Sequence, residues 1–74
     1  MKSTSILTKF GDLIRAERLR QGISQEKLAE LADVHRTYIG MIERAEKNIT
    51  LANIEKLSKG LGKPVSYLIK KVGL

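Results

Sequence analysis

The stretch SQEKLAELADVHRTYIGMIER, residues 24–44, governs the predicted architecture of this chain. Ser24 can accept a hydrogen bond from a free amide of a first helical turn, so it predicts the start of a helix that runs to Ala32. Asp33 tolerates a left-handed backbone better than most residues, so it predicts a tight turn. A second helix begins at about Arg36. The stretch therefore predicts two short helices that are joined by a turn.

The second of these helices has an apolar inner face and a polar outer face. Ile39 and Ile42 lie three residues apart and can pack inward, and Ala29 is small enough to let the two helices cross closely. The outer face then carries Arg36, Thr37, Gly40, Met41 and Arg44. A helix held in this way fits the major groove of B-DNA.

Short motifs within and after this stretch carry a family resemblance. The motif SQExLA at residues 24–29, followed by Val34, Ile39, Ile42 and Glu43, resembles the helix-turn-helix of the phage repressor and Cro family. The runs RTYI at 36–39, IER at 42–44 and NITL at 48–51 are similar to those of the small controller proteins of restriction–modification systems. The resemblance covers about residues 10–68.

The rest of the chain predicts further helices around this unit. Phe10, Leu13 and Ile14 indicate a first helix over about residues 8–21, with Glu17 at the edge of the core. Residues 1–7 before it are expected to form a loose arm or an early helical turn. Thr50 is a predicted N-cap for a helix with an apolar stripe at 51, 54, 57 and 61, and Pro64 suits the first turn of a fifth helix. We expect an all-α, compact five-helix bundle, and residues 1–74 as one helix-turn-helix DNA-binding domain of the lambda repressor type.

Candidate DNA-binding residues follow from their positions on the helices. We expect base contacts from the outer face near the start of the second helix, at Arg36, Thr37, Gly40 and Met41. Arg suits the two acceptors of guanine. Gly40 has no side chain that could select a base, so the sequence does not predict which bases are read. Contacts to the DNA backbone are predicted for Tyr38, Arg44, Lys47 and Asn48. The family resemblance implies the same role for Gln25, and it implies a structural ion pair between Arg18 and Glu43.

A homodimer is predicted because one recognition helix covers only a few base pairs. Two copies on half-sites about one DNA turn apart, ~34 Å, would read a pseudo-palindromic operator. The C-terminal helices, about residues 51–72, have an apolar face that we expect to supply the dimer surface, with core closure as the alternative for each residue. The predicted interface residues are Ile49, Leu61, Pro64, Val65, Leu68 and Ile69.

Composition favours a polyanionic partner and offers little for catalysis. The 74-residue chain has 14 Lys and Arg against 8 Asp and Glu, which gives a net charge of +6, and it has no Cys. His35 is the only His and lies at a predicted helix cap, so we predict no metal site, no cofactor and no enzymatic activity. With no apolar run long enough for a membrane and no convincing signal peptide, we expect a cytoplasmic, nucleoid-associated protein of bacterial or phage origin.

These features favour a transcription regulator that binds its own operator, with RNA polymerase as a further candidate partner. The resemblance makes a restriction–modification controller the first choice, and an antitoxin or phage-type repressor is the alternative. A helical protein-interaction module that binds no DNA is a third possibility. Steep salt dependence of DNA binding separates the regulators from the module.

Overall fold

The computed structural model describes residues 5–73, and in this part of the chain all regular structure is helical. The helices are α1 (Ile6–Arg20), α2 (Gln25–Ala32), α3 (Arg36–Glu43), α4 (Leu51–Leu61) and α5 (Val65–Lys71). The all-α class and the five-helix order are as the sequence predicts. Residues 1–4, part of the segment predicted as a loose arm or an early helical turn, and Leu74 lie outside the described residues.

Polar caps define where most of the helices begin. The Ser24 hydroxyl accepts a hydrogen bond from the Lys27 amide at 2.9 Å, and the Thr50 hydroxyl accepts one from the Asn53 amide at 3.1 Å. The hydroxyl of Ser5 caps α1 in the same way, so this helix begins at Ile6 rather than at residue 8 as predicted. Asp33 has a φ of 60° and ends α2, in agreement with the predicted turn.

One apolar core holds the five helices together. It includes Ile14 from α1, Leu28 from α2, Ile39 from α3, Leu57 from α4 and Leu68 from α5, all of them fully buried. Helix α2 packs on both α3 and α4, and Gly60 lets α4 approach closely, because a Cβ on Gly60 would lie 2.9 Å from the Cβ of Ala32. The prediction that Leu51 belongs to the apolar stripe of α4 is wrong. Leu51 is 78% exposed, because the first turn of α4 points away from the core.

Helix α1 lies directly against the end of α3. A Cβ on Gly11 would overlap the carbonyl oxygen of Ile42, so only glycine permits this approach without a shift of the backbone. Farther along α1, Arg18 Nε donates to Glu43 Oε2 at 2.7 Å and Arg18 Nη2 donates to Glu43 Oε1 at 3.1 Å. The Arg18 and Glu43 side chains are only 10% and 4% exposed. This two-point pair fixes the direction of α3 relative to α1.

The Arg18 guanidinium and the Glu43 carboxylate have further partners. Arg18 Nη1 also donates to the carbonyl oxygen of Ile23, which follows α1, and Gln25 Nε2 donates to Glu43 Oε1 at 3.0 Å. The hydrogen bonds and charge of Glu43 raise the pKa of Arg18 despite the opposing effect of burial. The pair thus belongs to a network that joins α1, the start of α2 and the end of α3.

A second buried carboxylate connects α1 to α5. Glu17 is fully buried, whereas the sequence predicted it at the edge of the core. Tyr67 in α5 donates its hydroxyl proton to Glu17 Oε2 at 2.6 Å, and Arg20 Nη1 donates to Glu17 Oε1 at 3.2 Å. These hydrogen bonds compensate for the burial of the Glu17 carboxylate. The local apolar pattern of α1 could not reveal this burial, because Tyr67 is distant in the sequence.

Replacing Arg18 tests the first network. We expect Arg18→Ala to lower the free energy of unfolding by about 3–5 kcal/mol, because it leaves the Glu43 carboxylate buried without its cation. Urea unfolding at neutral pH measures the loss. Arg15→Ala is the matched control, since Arg15 is an exposed residue of the same helix, and it should change stability by less than about 0.5 kcal/mol.

A double variant tests the same pair if Arg18→Ala is too unstable to purify. Arg18→Met combined with Glu43→Leu replaces both charges by apolar groups and should recover most of the lost stability. Equal unfolding midpoints for Arg18→Ala and Arg15→Ala would contradict the structural role of the pair.

Replacing Tyr67 tests the second network. Tyr67→Phe removes a donor to a buried carboxylate, so we expect a loss of about 1–3 kcal/mol in urea unfolding. Tyr38→Phe is the control, because the partner of the Tyr38 hydroxyl is the neutral amide of Asn53 rather than a buried carboxylate. A Tyr67→Phe loss no larger than that of Tyr38→Phe is the result that contradicts the proposed link between α1 and α5.

Candidate nucleic-acid interface

Helix α3 is seated by its apolar side and presents its first turn to solvent. Ile39 and Ile42 are 0% and 3% exposed, whereas Arg36 and Thr37 are exposed. The predicted inner face of this helix and the exposure of Arg36 and Thr37 therefore agree with the structure. The Arg36 guanidinium has only a loose partner, Glu26, at 3.7 Å between Nη1 and Oε1. These two of the four predicted base-contacting residues therefore project into solvent.

The start of α3 is capped by histidine. The ring nitrogen Nδ1 of His35 accepts a hydrogen bond from the Thr37 amide at 3.0 Å. His35 therefore performs the structural role that Ser24 and Thr50 perform for α2 and α4. In the described residues no group of three or more His, Cys, Asp or Glu side chains could hold a metal ion.

Gly40 requires a correction. The sequence predicted a base contact on the outer face, but Gly40 is buried. The point where a Cβ would stand lies 3.1 Å from Arg44 Nη1 and 3.6 Å from Gln25 Oε1. Two longer side chains therefore cover this position, and Gly40 itself does not present an atom for base recognition. Its neighbour Met41 is half-buried, and its base contact stays a prediction.

Among the predicted DNA-backbone residues, Gln25 and Tyr38 have hydrogen-bond partners on other helices of the protein. Gln25, at the start of α2, donates to Glu43, so its side chain braces the end of α3. The Tyr38 hydroxyl accepts a hydrogen bond from Asn53 Nδ2 at 2.7 Å, which leaves the phenol proton available to another acceptor. Asn53 is a partner that sequence reasoning missed, because it lies in α4 and carries no motif.

The other three predicted backbone residues lie at the end of α3 and in the loop that follows. Arg44, Lys47 and Asn48 are exposed. Arg44 Nε pairs with Glu46 Oε2 at 3.0 Å, and this contact raises the pKa of Arg44 and lowers the pKa of Glu46. Glu46 was not singled out from the sequence, because an acidic residue in a basic loop has no evident role until its partner is known.

The predicted dimer surface needs correction at two positions. Leu61 and Leu68 are 3% and 0% exposed, because both side chains belong to the core of a single chain. Ile49, Val65 and Ile69 are half-buried and Pro64 is exposed. Ile49 and Ile69 line a hollow of about 250 Å³ together with residues of α1 and α4.

None of the described helices is long and apolar enough to cross a membrane.

Comparison with known proteins agrees with this geometry. The Helix-turn-helix family model matches residues 14–68. The chain is 51% identical over 61 residues to the control protein C.BamHI of Bacillus amyloliquefaciens, across 81% of this chain and 75% of that protein.

Solved structures of controller proteins have the same fold. The restriction–modification controller protein C.AhdI from Aeromonas hydrophila superposes with a TM-score of 0.81 at 42% identity, over 84% of this chain and 94% of that one. A structure of C.Esp1396I bound to a 19 base pair DNA duplex has a TM-score of 0.84 at 34% identity, over 90% and 89% of the two chains. The chain therefore belongs to the helix-turn-helix family of DNA-binding transcription regulators and, within it, to the restriction–modification controller proteins.

Proposed function

We propose that this chain binds a pseudo-palindromic operator upstream of its own gene as a homodimer, and that it thereby controls a restriction–modification system. The observation that carries this proposal is the exposed first turn of α3, where Arg36 and Thr37 project from a helix that Ile39, Ile42 and the Arg18–Glu43 pair hold rigidly. A rigid helix with free polar side chains at its N-terminal end can read base edges in the major groove.

Each side chain has a distinct proposed task. Arg36 donates to the two acceptors of a guanine, and Thr37 contacts an adjacent base edge or a thymine methyl group. Gln25, Tyr38, Lys47 and Asn48 bind phosphates on either side of the groove and fix the register of α3. The net charge of +6 adds a long-range attraction to the duplex.

We propose that residues 1–74 act as one domain and that the C-terminal half also supplies the dimer contact. Support comes from the hollow near Ile49 and Ile69, which Ile6 borders with 44% of its surface exposed. A domain of this size gains stability when such apolar surface is covered by a second copy. The proposed place of action is the bacterial nucleoid in the cytoplasm, with RNA polymerase as the further partner at the promoter.

The operator itself is the first test of the proposal. A footprint of the protein on the DNA upstream of its own gene should show two protected half-sites about one helical turn apart. A methyltransferase gene and an endonuclease gene beside it would support the controller role, whereas a toxin gene would favour an antitoxin. Binding to the upstream DNA that is no tighter than to random duplex would contradict operator recognition.

Arg36→Ala should relax recognition at one base position. We expect a loss of ~1–3 kcal/mol in discrimination at that position, because Ala cannot donate to guanine. Binding isotherms on the operator and on its single-base variants measure the effect. Lys47→Ala is the contrast, since a lost phosphate contact weakens binding on all sequences and reduces the salt slope by about one. A uniform loss for Arg36→Ala would contradict its base-reading role.

The dimer surface has its own test. Ile6→Asp places a charge at the border of the hollow, and we expect it to raise the dimer dissociation constant about tenfold or more in sedimentation equilibrium, because burial of an Ile contributes ~1.5–3 kcal/mol. Leu31→Asp is the matched control: Leu31 is 47% exposed against 44% for Ile6, and it lies on α2 away from the hollow. Equal self-association in the two variants would contradict this location for the interface.

A further inference from the structure

The outer face of α3 has a gap at Gly40 that the Arg44 side chain fills. Residues 36, 40 and 44 are four apart, so they lie on one face of the helix, and side chains lean toward the helix N-terminus. Arg44 accordingly lies back over the preceding turn, where Nη1 and Nη2 are 3.1 Å and 3.7 Å from the point at which a Cβ of Gly40 would stand. The guanidinium thus occupies the level of residue 40 on this face.

The guanidinium of Arg44 is held there by Glu46. Ala45 has a φ of 59°, a left-handed backbone that reverses the chain just after α3, and the Glu46 amide donates to the Met41 carbonyl at 2.8 Å. This turn brings the Glu46 carboxylate back to Arg44, where Oε2 is 3.0 Å from Nε. The same contact lowers the pKa of Glu46, because the hydrogen bond from Arg44 favours the ionised carboxylate.

This arrangement leaves the recognition end of the guanidinium available. Arginine has five N–H donors in a planar fork, and Glu46 engages the one on Nε. The Nη1 and Nη2 groups are the pair that suits the O6 and N7 acceptors of guanine. Residue 40, whose level they occupy, is four residues from Arg36, which is about 6 Å along the helix axis and lies between the spacings of one and two base pairs.

We propose that Arg44 is a second base-reading residue, placed by the space that Gly40 leaves and positioned by Glu46, and that it selects a base pair close to the one that Arg36 reads. This assigns Arg44 to base recognition rather than to the DNA backbone, where the sequence had placed it. Glu46 also repels nearby phosphates, which weakens binding to every duplex regardless of its sequence. The inference rests on the proposed DNA-binding function.

The test begins with selection of binding sites by the wild-type protein from a random-sequence duplex library. Single-base variants of the selected duplex then give a discrimination profile for each protein variant. Arg44→Lys keeps the charge and a possible phosphate contact but loses the planar fork. We expect it to reduce discrimination about 5- to 150-fold at one base pair of each half-site, at a position different from the one relaxed in Arg36→Ala.

Gly40→Ala shows whether the gap positions Arg44. The added methyl group must move the flexible end of Arg44 by a few tenths of an ångström, so discrimination should fall at the same base pair. In the Arg44→Lys background Gly40→Ala should have no further effect at that base pair. Gly40→Ala should melt no lower than wild type, because Ala is the better helix former, so a folding defect would not obscure the result.

Glu46 is tested as a positioning residue. Glu46→Gln removes a negative charge, so it should tighten binding to all duplexes, and it should also weaken preference at the Arg44 base pair, which a change in charge alone would not do. Glu46→Asp keeps the carboxylate and should restore part of that preference.

Several results would overturn the inference while leaving operator binding intact. One is a loss for Arg44→Lys that is the same on every duplex, which would make Arg44 a phosphate contact. Another is strict additivity of Gly40→Ala and Arg44→Lys at the affected base pair. If the wild-type protein enriches no sequence from the library, the proposed function itself fails, and the base-reading role of Arg44 fails with it.

Discussion

The rest of the structure depends on the buried contact between α1 and the end of α3. Glycine at position 11 lets the two backbones approach, and the Arg18–Glu43 pair then fixes their relative direction through two hydrogen bonds. Gln25 adds a third hydrogen bond from the start of α2. Two charges removed from water contribute little net stability by themselves, but a mispaired arrangement would be costly, so the pair selects one orientation of the recognition helix.

That orientation connects the core to DNA recognition. Because Ile39 and Ile42 occupy the inner side of α3, Arg36 and Thr37 must face outward, and the His35 cap fixes the backbone from which they project. A recognition surface that is ordered before binding loses less conformational entropy when it meets the duplex. The role proposed for the Arg44–Glu46 pair follows the same principle at the other end of the helix.

The sequence predicted the elements whose signals are local. Ser24, Asp33 and Thr50 act through neighbouring amides or their own backbone, so caps and turns were readable in order along the chain, and the spacing of Ile39 and Ile42 set the two faces of α3. The family resemblance, rather than spacing, supplied the pairing of Arg18 with Glu43. The start of α1 was predicted two residues late, because the cap at Ser5 has no apolar pattern before it.

Several of the errors concern contacts between residues that are distant in the chain. Glu17 is buried because Tyr67 reaches it from α5, and Leu61 and Leu68 fill the core although an apolar residue in a C-terminal helix could equally face a second copy. Gly40 was predicted to contact bases from the outer face, whereas Arg44 folds back over it. The spacing of apolar residues predicts which face of a helix a residue occupies, but not which neighbouring side chains fold over it.

The most direct test of recognition by α3 is a crystal structure of the protein with the duplex that it selects. It should contain two copies of the chain whose α3 helices enter successive major grooves ~34 Å apart, with Arg36 and Thr37 against base edges. A complex in which α3 lies outside the groove, or in which these two side chains contact only phosphates, would contradict the mechanism.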